Sequence, residues 1–135
     1  MLKSICYKSQ VKPTLSILEF ESLFNQTQTS NDKSNITGVL VKSKDIFFQI
    51  IEGDVATIDS LFEKIKKDNR HSDIIELLNK PISQLSFKAF DTGYTLIDDI
   101  DELYGLQIYI TDLQNNHFEN STLFLKIIED LLTTD

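Results

Sequence analysis

The chain has 135 residues, of which 41% are hydrophobic and 25% charged, a balance that excludes intrinsic disorder and suits a single globular domain. Thirteen basic residues against 21 acidic ones leave a formal charge of −8, which works against a sequence-independent grip on nucleic acid. One cysteine, Cys6, and two distant histidines, His71 and His117, exclude a disulfide framework and a multi-cysteine or histidine-based metal site. No apolar run is long enough to span a bilayer and no signal peptide opens the chain, so the expectation is a small, acidic, cytoplasmic domain.

In chain order, residues 2–7 read as a first strand. Pro13 closes a loop, Ser16 and Glu19 form a capping box, and Leu15 with Phe20 forms a hydrophobic staple. Ile17, Phe20, Leu23 and Phe24 then recur at helical spacing, which predicts a helix over 17–28, ended by the polar run 25–35. Two β-rich runs, 36–41 and 46–51, flank a polar turn and predict a hairpin. In its second strand both alternating sets are apolar: Ile46, Phe48 and Ile50 on one face, Phe47 and Ile51 on the other. Such a strand needs cover on both sides, so helices must sandwich the sheet.

A second helix follows Gly53, with Asp54 as N-cap and an apolar stripe of Val55, Ile58, Leu61, Phe62 and Ile65. Strands are predicted at 74–78 and around 85–89. Residues 99–110 are ambiguous, because an acidic start suits a helix while Gly105 and the run Ile108-Tyr109-Ile110 weaken it. Leu123, Phe124, Ile127, Ile128, Leu131 and Leu132 define a terminal amphipathic helix capped by Asn120 or Ser121. The order βαββαββ followed by one or two helices predicts an α+β, ferredoxin-like fold. Residues 1–96 would form the core, and 97–135 a helical cap on the opposite face of the sheet, within the same domain.

Gln49 is out of place in its strand. It shares a face with Phe47 and Ile51, and a buried primary amide without partners costs roughly 1–3 kcal/mol. Tyr7, at the end of the first strand, is a natural partner; a tyrosine alone does not satisfy all the donors and acceptors of an amide. The pair reads either as a core hydrogen bond or as the polar edge of a ligand site. Asn31 reads as a loop residue or as a second amide aimed at the same space. Lys64, Lys67 and His71 fall at helical spacings of three and four, near Lys66 and Arg70. That cluster suits a phosphate, or equally the negative end of a helix dipole.

Taken in order, these segments resemble the BLUF family of small flavin-binding blue-light sensors, over residues 2–94. Tyr7-Lys8-Ser9 is similar to the family's Y-x-S. Asn31 followed by Asn35-Ile36-Thr37-Gly38-Val39-Leu40 resembles its N-x(4)-ITG-L-L. Phe47-Phe48-Gln49-Ile50-Ile51-Glu52-Gly53 resembles its F-(L/F)-Q-x-(L/I)-E-G, and Ile65, Asp68, Arg70 and His71 keep the register of its R-I-x-x-D-x-R-H. Two departures stand out. The family's W-S-M-G-(F/Y) is here Phe90-Asp91-Thr92-Gly93-Tyr94, and the first arginine of the helix motif is Lys64, a point charge in place of a planar fork.

The resemblance implies a set of roles. Gln49 bonds the reactive edge of the flavin and Tyr7 is its electron-transfer partner, with Phe90 and Thr92 modulating them. Asn31 holds the pyrimidine edge, Ile36 and Ile65 are apolar walls, and Lys64, Arg70 and His71 lie toward the phosphate tail. The implied cofactor is FAD, with FMN and riboflavin as alternatives. The expected function is a blue-light photoreceptor without enzymatic or metal-dependent activity, passing its signal to a partner protein in trans or through homo-oligomers. The rival readings are a small ferredoxin-like hydrolase, which lacks a supporting phosphate-cradling glycine loop, and a degenerate BLUF-like scaffold that binds protein and no flavin.

Overall fold

The computed structural model describes residues 1–12, 36–68, 71–88, 90 and 94–133. The helix predicted over 17–28, with its capping box and staple, lies outside the described residues. The described elements are β1 (Leu2–Val11), β2 (Thr37–Ser43), β3 (Ile46–Asp54), α1 (Val55–Lys67), β4 (His71–Ile82), β5 (Tyr94–Ile97), α2 (Ile100–Asn115) and α3 (Ser121–Thr133). They build one five-stranded sheet of order β4-β1-β3-β2-β5. The four strands β4-β1-β3-β2 are antiparallel and follow the ferredoxin-like order, while β5 joins β2 in parallel.

The predicted hairpin forms, with Val41 opposite Phe48 and Thr37 opposite Glu52. Gly38 shows why its sequence needs a glycine. Its φ is 145°, and a Cβ there would sit 1.9 Å from the carbonyl oxygen of Ile50. Pro81 falls on β4, an edge strand, where its missing N–H costs no central ladder bond.

Alternation along β3 divides the core as expected. Phe48 and Ile50 join Cys6, Val39 and Val41 beneath the apolar faces of α2 and α3, including Leu106, Ile110, Phe124 and Ile128. Phe47 and Ile51 join Ile5, Tyr7, Ile36 and Leu40 beneath Ile58 and Phe62 of α1. The ambiguous segment is helical: Asp99 caps α2 by accepting the Glu102 N–H at 2.8 Å, and one side of the helix is buried. Asp54 does occupy the N-cap of α1, but its side chain makes no cap hydrogen bond.

One predicted strand is corrected. Residues 85–88 are not a strand, and the fifth strand is Tyr94–Ile97 instead. Leu85 and Phe87 alternate with polar residues, yet the backbone there is held by other groups. The Ser86 N–H donates to the Glu52 carboxylate at 2.7 Å, the Ser86 carbonyl accepts from Tyr109 at 2.6 Å, and the Phe90 N–H bonds the Phe87 carbonyl. Phe87 is fully buried against Tyr109 and Phe124, so its alternation serves a loop that plugs the core.

Candidate functional site

The antiparallel register of β1 and β3 sets Tyr7 directly opposite Gln49. Both side chains are almost wholly buried, at 3% and 2% exposure, on the face that α1 covers. The Tyr7 hydroxyl donates to Gln49 Oε1 at 2.5 Å. The bond pairs the Tyr7 hydroxyl with the Gln49 carbonyl oxygen inside an apolar layer, where low surrounding polarity strengthens it. The Tyr7 ring packs 5.8 Å from that of Phe62 on α1 and meets the His71 ring edge-on at 6.0 Å.

His71 occupies a different place from the one predicted. Helix α1 ends at Lys67, Asp68 turns extended, and His71 opens β4, so it does not continue the helical face of Lys64 and Lys67. Its ring is held at both nitrogens, Nδ1 by the Ser9 hydroxyl at 2.6 Å and Nε2 by the Ile65 carbonyl at 2.8 Å. A nitrogen bonded to a carbonyl must carry a proton; for the neutral ring this network assigns the Nε2–H tautomer, with Ser9 donating to Nδ1. The imidazole therefore ties β1, β4 and the last turn of α1 together beside Tyr7.

The other predicted positions separate into three groups. Ile36 is buried and Ile65 half-buried in the layer that holds Tyr7 and Gln49. Lys64 is exposed on α1, and Phe90 lies on the opposite face of the sheet, its ring 4.7 Å from Tyr109 and away from Gln49. Asn31, Arg70 and Thr92 lie outside the described residues.

Among the buried polar groups that had no role in the sequence reading, Ser9 and Glu52 matter here. Ser9 appeared only as part of a motif, and it is 4% exposed with its hydroxyl on His71. Glu52 is fully buried on the Phe48 face, where burial pushes its carboxyl up to about 7 against the opposing pull of the Ser86 N–H. The period of β3 already put Glu52 on the inward side with Phe48 and Ile50, and that was the signal for it. Cys6 is also buried, and burial drives its thiol pKa far upward, so it is an inert core residue. No helix among the described residues is long and apolar enough to cross a membrane.

Ferredoxin-like strand order, helices on both faces of the sheet and a buried aromatic–amide pair under α1 define an α+β domain of ferredoxin-like type. Residues 2–93 match the family described as BLUF, sensors of blue-light using FAD, and the chain belongs to that family. Its relatives include photoactivated adenylate cyclase subunit alpha of Euglena gracilis, 34% identical over 83 residues, which are 62% of this chain and 8% of that protein. Another is the blue light- and temperature-regulated antirepressor BluF of Escherichia coli K12, 30% identical over 78 residues, 58% of this chain and 19% of that protein. The chain thus matches only a small share of these relatives' length. Klebsiella pneumoniae BlrP1 with FMN and cyclic diGMP superposes with a TM-score of 0.76 at 27% identity, over 96% of this chain and 35% of that one. The dark-state BLUF protein BlrB gives 0.71 at 25% identity, over 94% of this chain and 93% of that one. The matched region is a sensor module of a family that uses flavin.

Proposed function

We propose that this chain binds a flavin, FAD by preference, on the α1 side of the sheet and reports blue light through the Tyr7–Gln49 pair. The observation that carries the reading is the buried Tyr7 Oη–Gln49 Oε1 hydrogen bond, set among the apolar side chains of Ile5, Ile36, Leu40, Phe47 and Ile51. The surroundings suit a flat heteroaromatic ring. Ile36 and Ile65 offer apolar walls, and an amide offers both donor and acceptor to a ring edge. By the family resemblance Asn31 would hold the pyrimidine edge, while Arg70 and Lys64 would face the phosphates. His71, with both nitrogens engaged by the protein, supports the site from behind.

When bound, a flavin supplies the blue absorption and an electron acceptor. The chain's own part is hydrogen-bond bookkeeping at two atoms. Tyr7 Oη is the proton donor of the pair, and it holds Gln49 with Oε1 toward β1 in the arrangement seen here. Rotation or tautomerisation of the amide would present a different group to Tyr7 and break or replace that bond. Because Gln49 and Glu52 share one strand, a change at the amide can reach the Ser86 loop and α2 through Glu52. We take residues 1–96 as the flavin-binding core and 97–135 as the cap that carries output to a partner protein in trans.

Colour tests the reading. Purified protein supplied with FAD, FMN or riboflavin should retain a yellow chromophore through gel filtration and release it on denaturation. A protein that stays colourless with all three is a flavin-free scaffold, and the proposal is wrong.

A further inference from the structure

The outer side of α2 carries a feature that the Tyr7–Gln49 site does not use. Ile100, Tyr104 and Ile108 recur every fourth residue and are 54%, 49% and 71% exposed. Beside them lies a groove of about 560 Å³, lined by Phe90, Gly105, Ile108, Tyr109 and Asp112 among others. Solvated helices rarely present so regular an apolar stripe without a partner.

Two further observations define the partner. The first is charge. From residue 89 to 125 the sequence has no lysine or arginine, while Asp98, Asp99, Asp101, Glu102 and Asp112 surround the stripe or lie at its N-terminal end. Two copies of this face would bring like charges together, and an anionic lipid surface would be repelled. The second is Gly105. Glycine is unfavourable inside a helix, and a Cβ added here meets no atom within 4 Å beyond its neighbours and the helix backbone. Packing among the described residues therefore does not call for it, whereas a glycine here suits close approach of another helix.

We propose that the exposed face of α2 is the docking site for an amphipathic helix of a partner protein, with apolar anchors flanked by lysine or arginine. Its anchors lie along Ile100, Tyr104 and Ile108, one of them enters the groove over Gly105, and its cations face the acidic rim. This partner class deepens the output role proposed for residues 97–135 and rests on that reading, while docking itself needs neither flavin nor light.

The full chain, in the dark, is titrated against a fluorescent helical peptide of leucine and lysine with one apolar stripe, and against its leucine–glutamate counterpart. The lysine peptide should bind and the glutamate peptide should not. Ile108→Ser and Gly105→Leu, the latter filling the groove at an exposed position, should each weaken binding by about tenfold. Ile75→Ser, an exposed isoleucine on β4, should leave it unchanged. Thermal unfolding confirms that each variant is folded. The proposal is overturned if the lysine peptide does not bind, if Ile108→Ser binds like wild type, or if both peptides bind alike. It is also overturned if sedimentation finds a wild-type dimer that Ile108→Ser dissociates, because a second copy would then be the occupant.

Discussion

Tyr7 and Gln49 form the side-chain pair on which the proposed light response rests, and their chemistry separates cleanly by substitution. Tyr7→Phe keeps the ring that packs on Phe62 and removes the hydroxyl that Gln49 accepts, so the protein should fold and bind flavin yet lose its normal photocycle. Full formation of a red-shifted state under steady blue light would contradict that role. Gln49→Ala should leave flavin bound and abolish the red shift, read as a light-minus-dark absorbance difference. Glu52 makes a different prediction, because its proton is held more tightly in the folded chain, at about 7, than its ordinary value of 4.5. Stability from this group is complete below about pH 4.5 and is lost as pH rises through 7, by on the order of 3 kcal/mol. Glu52→Gln keeps an acceptor for the Ser86 N–H and should flatten that dependence, measured as urea midpoints at pH 5 and pH 8. A wild-type midpoint that does not fall between those pH values would rule the carboxyl out as its source.

Elements carry the next set of consequences, and two glycines show how local context decides the sign. At Gly38, on β2, a Cβ would strike the Ile50 backbone, so Gly38→Ala should destabilise by about 1–3 kcal/mol. At Gly105, on α2, the Cβ meets open space, so Gly105→Ala should stabilise by about 0.5–1 kcal/mol. Opposite shifts in melting temperature check both, and shifts of the same sign would contradict the geometry. Legibility follows the same division. The double-sided apolarity of Ile46 to Ile51 was enough to demand two covering layers, because strand period and burial are local facts. The segment around Leu85 and Phe87 shows the same alternation and is not a strand, since its backbone bonds go to Glu52 and Tyr109, which are distant in sequence. His71 was read as helical because no glycine or proline marks the end at Lys67; the strap to Ser9 and Ile65 is a tertiary fact that periodicity cannot carry.

At the scale of the whole molecule, one sheet separates two polar devices. The α1 side holds the Tyr7–Gln49 bond, and the side under α2 and α3 holds the Glu52–Ser86–Tyr109 bonds, with β3 common to both. The pair itself was legible as an anomaly, a polar amide in an apolar strand, and the family motifs gave it a ligand; the second device needed the folded chain. Gln49 and Glu52 lie three residues apart on β3, which gives the proposed change on the first face a short path to the second. The central claim is that the Tyr7–Gln49 pair rearranges when a bound flavin absorbs blue light. The most direct test is the light-minus-dark absorption spectrum of flavin-loaded protein, recorded for wild type and Gln49→Ala. The account predicts a small red shift that reverses in the dark for wild type and none for the variant; a loaded wild type whose spectrum does not move, or a variant that shifts equally, would contradict it.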